Sequence, residues 1–188
     1  MAASVKRSKR LVIDASVARA AGGEDTDSPT AKYCRDFLKA VLKICHHVVM
    51  SPEISEEWKR HQSRFTRGWR VAMEARKKVY YIEAAFHPGL HEKIERVLPL
   101  VKKSEFEAMR KDFLLIEAAL VTDKIVVSRD DTVRRLFSLA APSVGELRSI
   151  AWVNPEKEEE TLIPWLEKGA KSERERLLSS RPKAQQQS

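Results

Sequence analysis

Short, wholly apolar runs recur along this chain, and segments with helical periodicity lie between them. Leu11-Val12-Ile13, Val48-Val49-Met50, Ile125-Val126-Val127 and Ile150-Ala151-Trp152-Val153 are rich in β-branched side chains and hold no polar residue. A strand apolar on both faces needs cover on both faces, and a parallel sheet flanked by helices supplies it. Strands are therefore expected at residues 10–14, 47–50, 125–128 and 150–153. The fold class that follows is α/β, a three-layer α/β/α sandwich with a mostly parallel central sheet. A fifth run, Val79-Tyr80-Tyr81-Ile82, suits either a strand or a connector.

The helices announce themselves by their starts. Ser28 offers an N-cap and Pro29 a first-turn proline, and Tyr33, Phe37, Val41 and Ile44 then recur at helical spacing. That predicts a helix over residues 29–45. Ser51-Pro52 repeats the signal and launches a helix to about His61. Further helices are expected at 64–77, at 91–98 up to Pro99, and at 132–139. Ser104 with Glu107 reads as a capping box opening a helix to about Val121, broken near Asp112. The stretch after the first strand reads as a loop, with Gly22-Gly23-Glu24-Asp25-Thr26-Asp27 in it.

The chain divides into a basic leader (residues 1–9), a main domain (10–155) and a charged extension (156–188). The extension carries one or two amphipathic helices around Pro164 and a low-complexity end. It suits either a partner or an apolar patch on its own domain. Hydrophobic residues make up 43% of the 188, enough for one sizeable core. Net charge is +8, which favours a polyanionic partner, nucleic acid ahead of an anionic membrane. No apolar run nears the roughly 20 residues that span a bilayer. No long apolar stretch follows the basic start either, so a secretory signal is not expected. Cys34 and Cys45 are too few for a disulfide framework and read as buried packing thiols of a reducing, cytoplasmic protein.

Four acids stand where an open α/β sheet presents side chains to a ligand. Asp14 ends the first run, Glu57 lies on the helix after the second, Asp112 opens the apolar stretch before the third, and Asp130 follows the third. Each alone has a plain structural explanation as a cap or a surface charge. Together they would repel one another, and a hard divalent cation such as Mg²⁺ or Mn²⁺ offsets that repulsion with oxygen ligands.

These segments resemble those of PIN domains, including VapC-like toxins. Val12-Ile13-Asp14-Ala15-Ser16-Val17 looks like the opening motif, and Ser51-Pro52-Glu53-Ile54-Ser55-Glu56-Glu57-Trp58 like the second. Asp112-Phe113-Leu114-Leu115-Ile116-Glu117-Ala118-Ala119 is similar to the third, and Val126-Val127-Ser128-Arg129-Asp130-Asp131 to the fourth, with Ser128 where Thr is frequent. The resemblance covers about residues 10–154. It implies a metal-dependent endoribonuclease in which Asp14, Asp112 and Asp130 hold one or two Mg²⁺ or Mn²⁺ ions, with Glu57 as ligand or orienting group. Ser16, Ser128, Asp131 and Glu117 would support them. It further implies an RNA substrate, a homodimer and, for a toxin of a toxin–antitoxin pair, an antitoxin partner. Two alternatives stay open: a catalytically silent nucleic-acid-binding or scaffold protein, and a structure-specific DNA nuclease.

The stretch from Trp58 to Arg70 interleaves aromatics with Lys59, Arg60, Arg64, Arg67 and Arg70. It suits phosphate contact with base stacking, or equally a helix pair whose aromatics pack inward. Arg129 joins these as a candidate nucleic-acid contact. His46-His47 is expected to be structural, since neighbours on a strand face opposite ways.

Overall fold

The sheet has five strands, all parallel, in the order β3-β2-β1-β4-β5. They are β1 (Arg10–Ile13), β2 (His47–Met50), β3 (Val79–Tyr81), β4 (Ile125–Val127) and β5 (Ala151–Val153). A computed structural model describes residues 8–98 and 101–180, so the leader through residue 7, the expected stop at Pro99 and the low-complexity end fall outside the described residues. Leu11 lies opposite Val48, Val12 opposite Val126, and Val126 opposite Trp152. All five are fully buried, which is why these runs show no polar alternation. The central sheet of an α/β/α sandwich stands as expected, and Val79–Tyr81 is a strand. It lies at the sheet edge, with Tyr80 and Tyr81 exposed and the Arg10 guanidinium over the Tyr80 ring.

The chain leaves β1 for β2 and β3 on one side, then returns past β1 to β4 and β5. Strand order thus reverses between β1 and β4, where the connections diverge and leave a crevice beyond the carboxyl ends.

Helices cover the sheet: α1 (Ala15–Ala20), α2 (Pro29–Lys43), α3 (Pro52–His61), α4 (Arg64–Ala75), α5 (Leu90–Val97), α6 (Lys103–Lys111), α7 (Phe113–Leu120), α8 (Asp131–Ala140) and α9 (Leu162–Glu167). The hydroxyl oxygens of Ser28 and Ser51 accept from the amides of Ala31 and Ile54, so both starts form as expected. The capping box at Ser104 does not form. The helix starts at Lys103 with Lys102 as cap, which leaves Ser104 inside the first turn and exposed to water. Residues 15–20, expected as loop, form α1, whose fewer than two turns are too short to show a period. The expected break at Asp112 is real, since its ψ of 2° ends α6 and lets α7 start on a new axis. α7 needs that freedom because it is apolar almost all round and packs on β1 and β4.

Cys34 is buried in α2, and burial pushes its thiol up to about 12. Cys45 is exposed, contrary to expectation, because α2 ends before it and Ile44 is already extended. Beyond residue 155 the chain covers its own domain. Leu162, Trp165, Leu166 and Leu178 join the main core, and the Leu178 amide donates to the Ile150 carbonyl at 2.9 Å. No helix among the described residues is long and apolar enough to cross a membrane.

Candidate functional site

Asp14 is the first residue past β1, and its amide donates to the Val127 carbonyl at 2.9 Å, so it continues the ladder into the crevice. Two hydroxyls donate to its Oδ2, that of Ser16 on α1 and that of Ser128 at 2.9 Å. Ser128 is fully buried, and its oxygen accepts from the Asp130 amide at 3.2 Å. The Arg129 amide reaches the Ser16 oxygen at 3.4 Å. One short network therefore locks the ends of β1 and β4 together and fixes Asp14 relative to Asp130.

Trp58 brings in the third acid. Its indole is fully buried and donates to the Ile13 carbonyl at 2.9 Å, which pins α3 to the end of β1. Glu57, its neighbour on α3, thereby faces the same cleft. Asp112 arrives from the α6–α7 junction. Asp14, Glu57 and Asp112 line a cleft of about 210 Å³, with Lys111 beside them and Ile54, Leu114, Leu115 and Trp58 as apolar wall. A neighbouring depression of about 320 Å³ is lined by Ser16, Arg129, Asp130, Asp131 and Thr132.

The charges interact across this region. The Asp112 carboxyl is pushed up to about 7, first by burial, then by the charges of Asp14 and Asp130, with a smaller push from Glu57; Lys111 pulls the other way. Four acids from four elements thus share one electrostatic neighbourhood. Their donors are all oxygen, a set that fits a hard divalent cation, and such a cation would favour the ionised Asp112. As the side chains stand, no group of three or more His, Cys, Asp or Glu among the described residues is close enough to hold an ion. Two of the four have local partners. Glu57 lies 3.4 Å from Arg60 and 3.5 Å from His61, and Asp130 Oδ1 accepts from the Val133 amide at 2.8 Å as the cap of α8.

The other sequence candidates are placed as follows. Glu117 lies outside the cleft: it is buried, accepts from the His87 amide at 3.1 Å and pairs with His91 Nε2 at 3.2 Å, bracing residues 87–91 on α7. Asp131 is exposed and pairs with Lys157 at 3.1 Å. Arg70 ties α4 to α3 through the Ser55 hydroxyl, 2.9 Å away. Arg129 is held by Glu156, which also accepts from the Thr30 hydroxyl at 2.6 Å. Lys59 pairs with Glu56 at 2.6 Å, and Arg64 and Arg67 are exposed with no ion pair among the described residues. Base stacking on the tryptophans of this stretch is overturned. Trp58 and Trp69 are buried against each other, ring centroids 5.9 Å apart, and the Trp69 indole donates to the Leu38 carbonyl at 2.6 Å. His46 is structural, as expected. Its Nδ1 accepts from the Lys9 amide, its Nε2 donates to the Leu166 carbonyl, and burial lowers its pKa.

Sequence reasoning passed over Lys111, Trp58 as an anchor of Glu57, and the Glu156 brace on Arg129. Lys111 and Trp58 each carried one available signal, since each is adjacent to a candidate acid. No protein-family model matches this chain, and a search of characterised proteins found no match.

Proposed function

We propose that this protein is a PIN-like, divalent-metal-dependent endoribonuclease. The observation that carries the reading is the gathering of four carboxylates at the strand reversal, where burial first and then the charges of Asp14, Asp130 and Glu57 raise Asp112. Asp14, Asp112 and Asp130 are the ligands in this reading, with Glu57 as ligand or orienting group. A Mg²⁺ or Mn²⁺ ion held there would supply a water of lowered pKa and offset charge on the phosphate. Ser16 and Ser128 fix Asp14 by occupying Oδ2. The order of the four motifs supports this reading, as does the net charge of +8, which draws a polyanion. RNA as substrate, action in the cytoplasm, a homodimer and an antitoxin partner belong to the same proposal and rest on the resemblance to VapC-like toxins.

A second reading, a silent PIN-like nucleic-acid-binding or scaffold protein, draws on the local partners of Glu57 and Asp130 and on the lack of a ready ligand group among the described residues. Titration of Mn²⁺ or Mg²⁺ against a single-stranded RNA oligonucleotide separates the two. The expected result is cleavage that EDTA and Asp14→Asn both abolish. Binding without cleavage at any metal concentration supports the second reading. Equal cutting of the matched DNA points to a DNA nuclease, whereas a requirement for the 2′-OH points to RNA.

A further inference from the structure

Lys111 is the last residue of α6 and stands one position before Asp112. A lysine there has an ordinary explanation, because the negative end of a helix dipole favours a cation. Three observations go beyond it. The side chain lines the cleft together with Asp14, Glu57 and Asp112. Its charge acts on Asp112, whose rise it opposes. It is also exposed and makes no ion pair or side-chain hydrogen bond among the described residues. Its cationic neighbours around the site are engaged: Arg60 with Glu57, Arg129 with Glu156, Lys157 with Asp131.

The charge balance of the cleft gives this lysine a task. Of the four carboxylates Glu57 is set against Arg60; the other three against one divalent ion leave one negative charge over, and an incoming phosphodiester, itself an anion, would meet net repulsion. One ammonium at the rim removes that excess. Lysine suits the place because its ammonium is a compact point charge on a flexible stem, able to follow one oxygen. We propose that Lys111 is a catalytic residue whose ammonium binds a non-bridging oxygen of the scissile phosphodiester. The proposal rests on the nuclease reading. Negative charge on that phosphate grows towards the transition state, so the contact acts more on kcat than on KM.

The test compares wild type, Lys111→Gln, Lys111→Arg and, as control, Lys43→Gln. Lys43 is exposed at the end of α2, ahead of β2 and so at the opposite end of the strands. Each is assayed for Mn²⁺-dependent cleavage of a single-stranded RNA oligonucleotide, for binding of that oligonucleotide in EDTA across a salt series, and for the rise in Tm on adding Mn²⁺. Lys111→Gln is expected to lose roughly 100- to 1000-fold in kcat/KM, mostly in kcat. It should also lower the salt slope of binding by about 0.7, the share of one phosphate contact on a single strand. Lys111→Arg should keep most of both, Lys43→Gln all of both, and every variant should keep the Mn²⁺-induced rise in Tm. Wild-type cleavage and salt slope in Lys111→Gln overturn the proposal, as does Lys111→Arg falling as far as Gln. If wild type binds the oligonucleotide but never cleaves it, the nuclease reading fails separately, and the salt slope alone decides whether Lys111 meets a phosphate. If wild type does not bind it either, both fall.

Discussion

Asp112→Asn should make the metal-free protein more stable while removing its proposed activity. The sign follows from the direction of the shift. Asp112 is an acid raised from 3.8 to about 7, the reverse of a salt-bridged carboxylate. The folded state therefore holds the proton that the unfolded state releases, and the cost of keeping Asp112 folded grows as pH rises from about 4 to about 7, then stays constant. The full shift corresponds to about 4 kcal/mol. Asp112 is partly open to water, which screens some of that, so the expected penalty is about 2–4 kcal/mol. For a chain of this length that translates to a rise in Tm of roughly 5–15 °C for Asp112→Asn at about pH 8. Thermal unfolding by circular dichroism in EDTA, from about pH 5 to about pH 8, reads it directly. The gap between variant and wild type should widen up to about pH 7 and flatten above it. Adding Mn²⁺ should raise the Tm of wild type and leave that of the variant unmoved. A gap that does not change with pH, or a variant less stable than wild type at the alkaline end, refutes the electrostatic account of this cleft.

Three further outcomes follow from the packing. Ser128→Ala removes a buried donor to Asp14 and an acceptor for the Asp130 amide, and urea unfolding should show a loss of about 1–3 kcal/mol. Leu178→Ala opens a cavity where the extension meets the core. It should cost about 2–5 kcal/mol in the same single transition, whereas an independent tail would leave the midpoint of the main domain in place. A thiol reagent such as a disulfide-exchange chromophore should modify Cys45 in the native protein and reach Cys34 only on unfolding, because burial holds the Cys34 thiol up at about 12.

The central strands were legible because both of their faces are buried, and continuous apolar runs say so directly. The edge strand β3 was ambiguous for the opposite reason: Tyr80 and Tyr81 face water, so its composition carries no sign of a core. Ser28 and Ser51 could be read as caps because proline follows each and fixes the first helical residue. Ser104 misled because a serine and a glutamate three apart are common inside helices, and only the neighbouring backbone decides which residue is the cap. In the site, Asp14 and Asp130 could be placed from their strand ends alone. Glu57 could not, since its approach depends on the Trp58 indole reaching the Ile13 carbonyl across the fold. The same burial that makes Trp58 an anchor removes it from any role in stacking bases.

Three of the four acids have local work that would justify them in a protein without catalysis. Asp130 caps α8, Glu57 pairs with Arg60 and His61 along α3, and Asp14 joins the ends of two strands through Ser16 and Ser128. Asp112 has none. It stands at the cap position of α7 yet bonds no amide there, and its carboxylate has no hydrogen-bond or ion-pair partner among the described residues. A neutral asparagine would fill the same space without the charge penalty, and carboxyls perturbed by burial and like charges in a cleft cluster at functional sites. The case for chemistry in this cleft therefore turns on Asp112 more than on the count of acids. The least satisfied carboxylate is the one whose replacement best separates a working site from a cluster of structural charges.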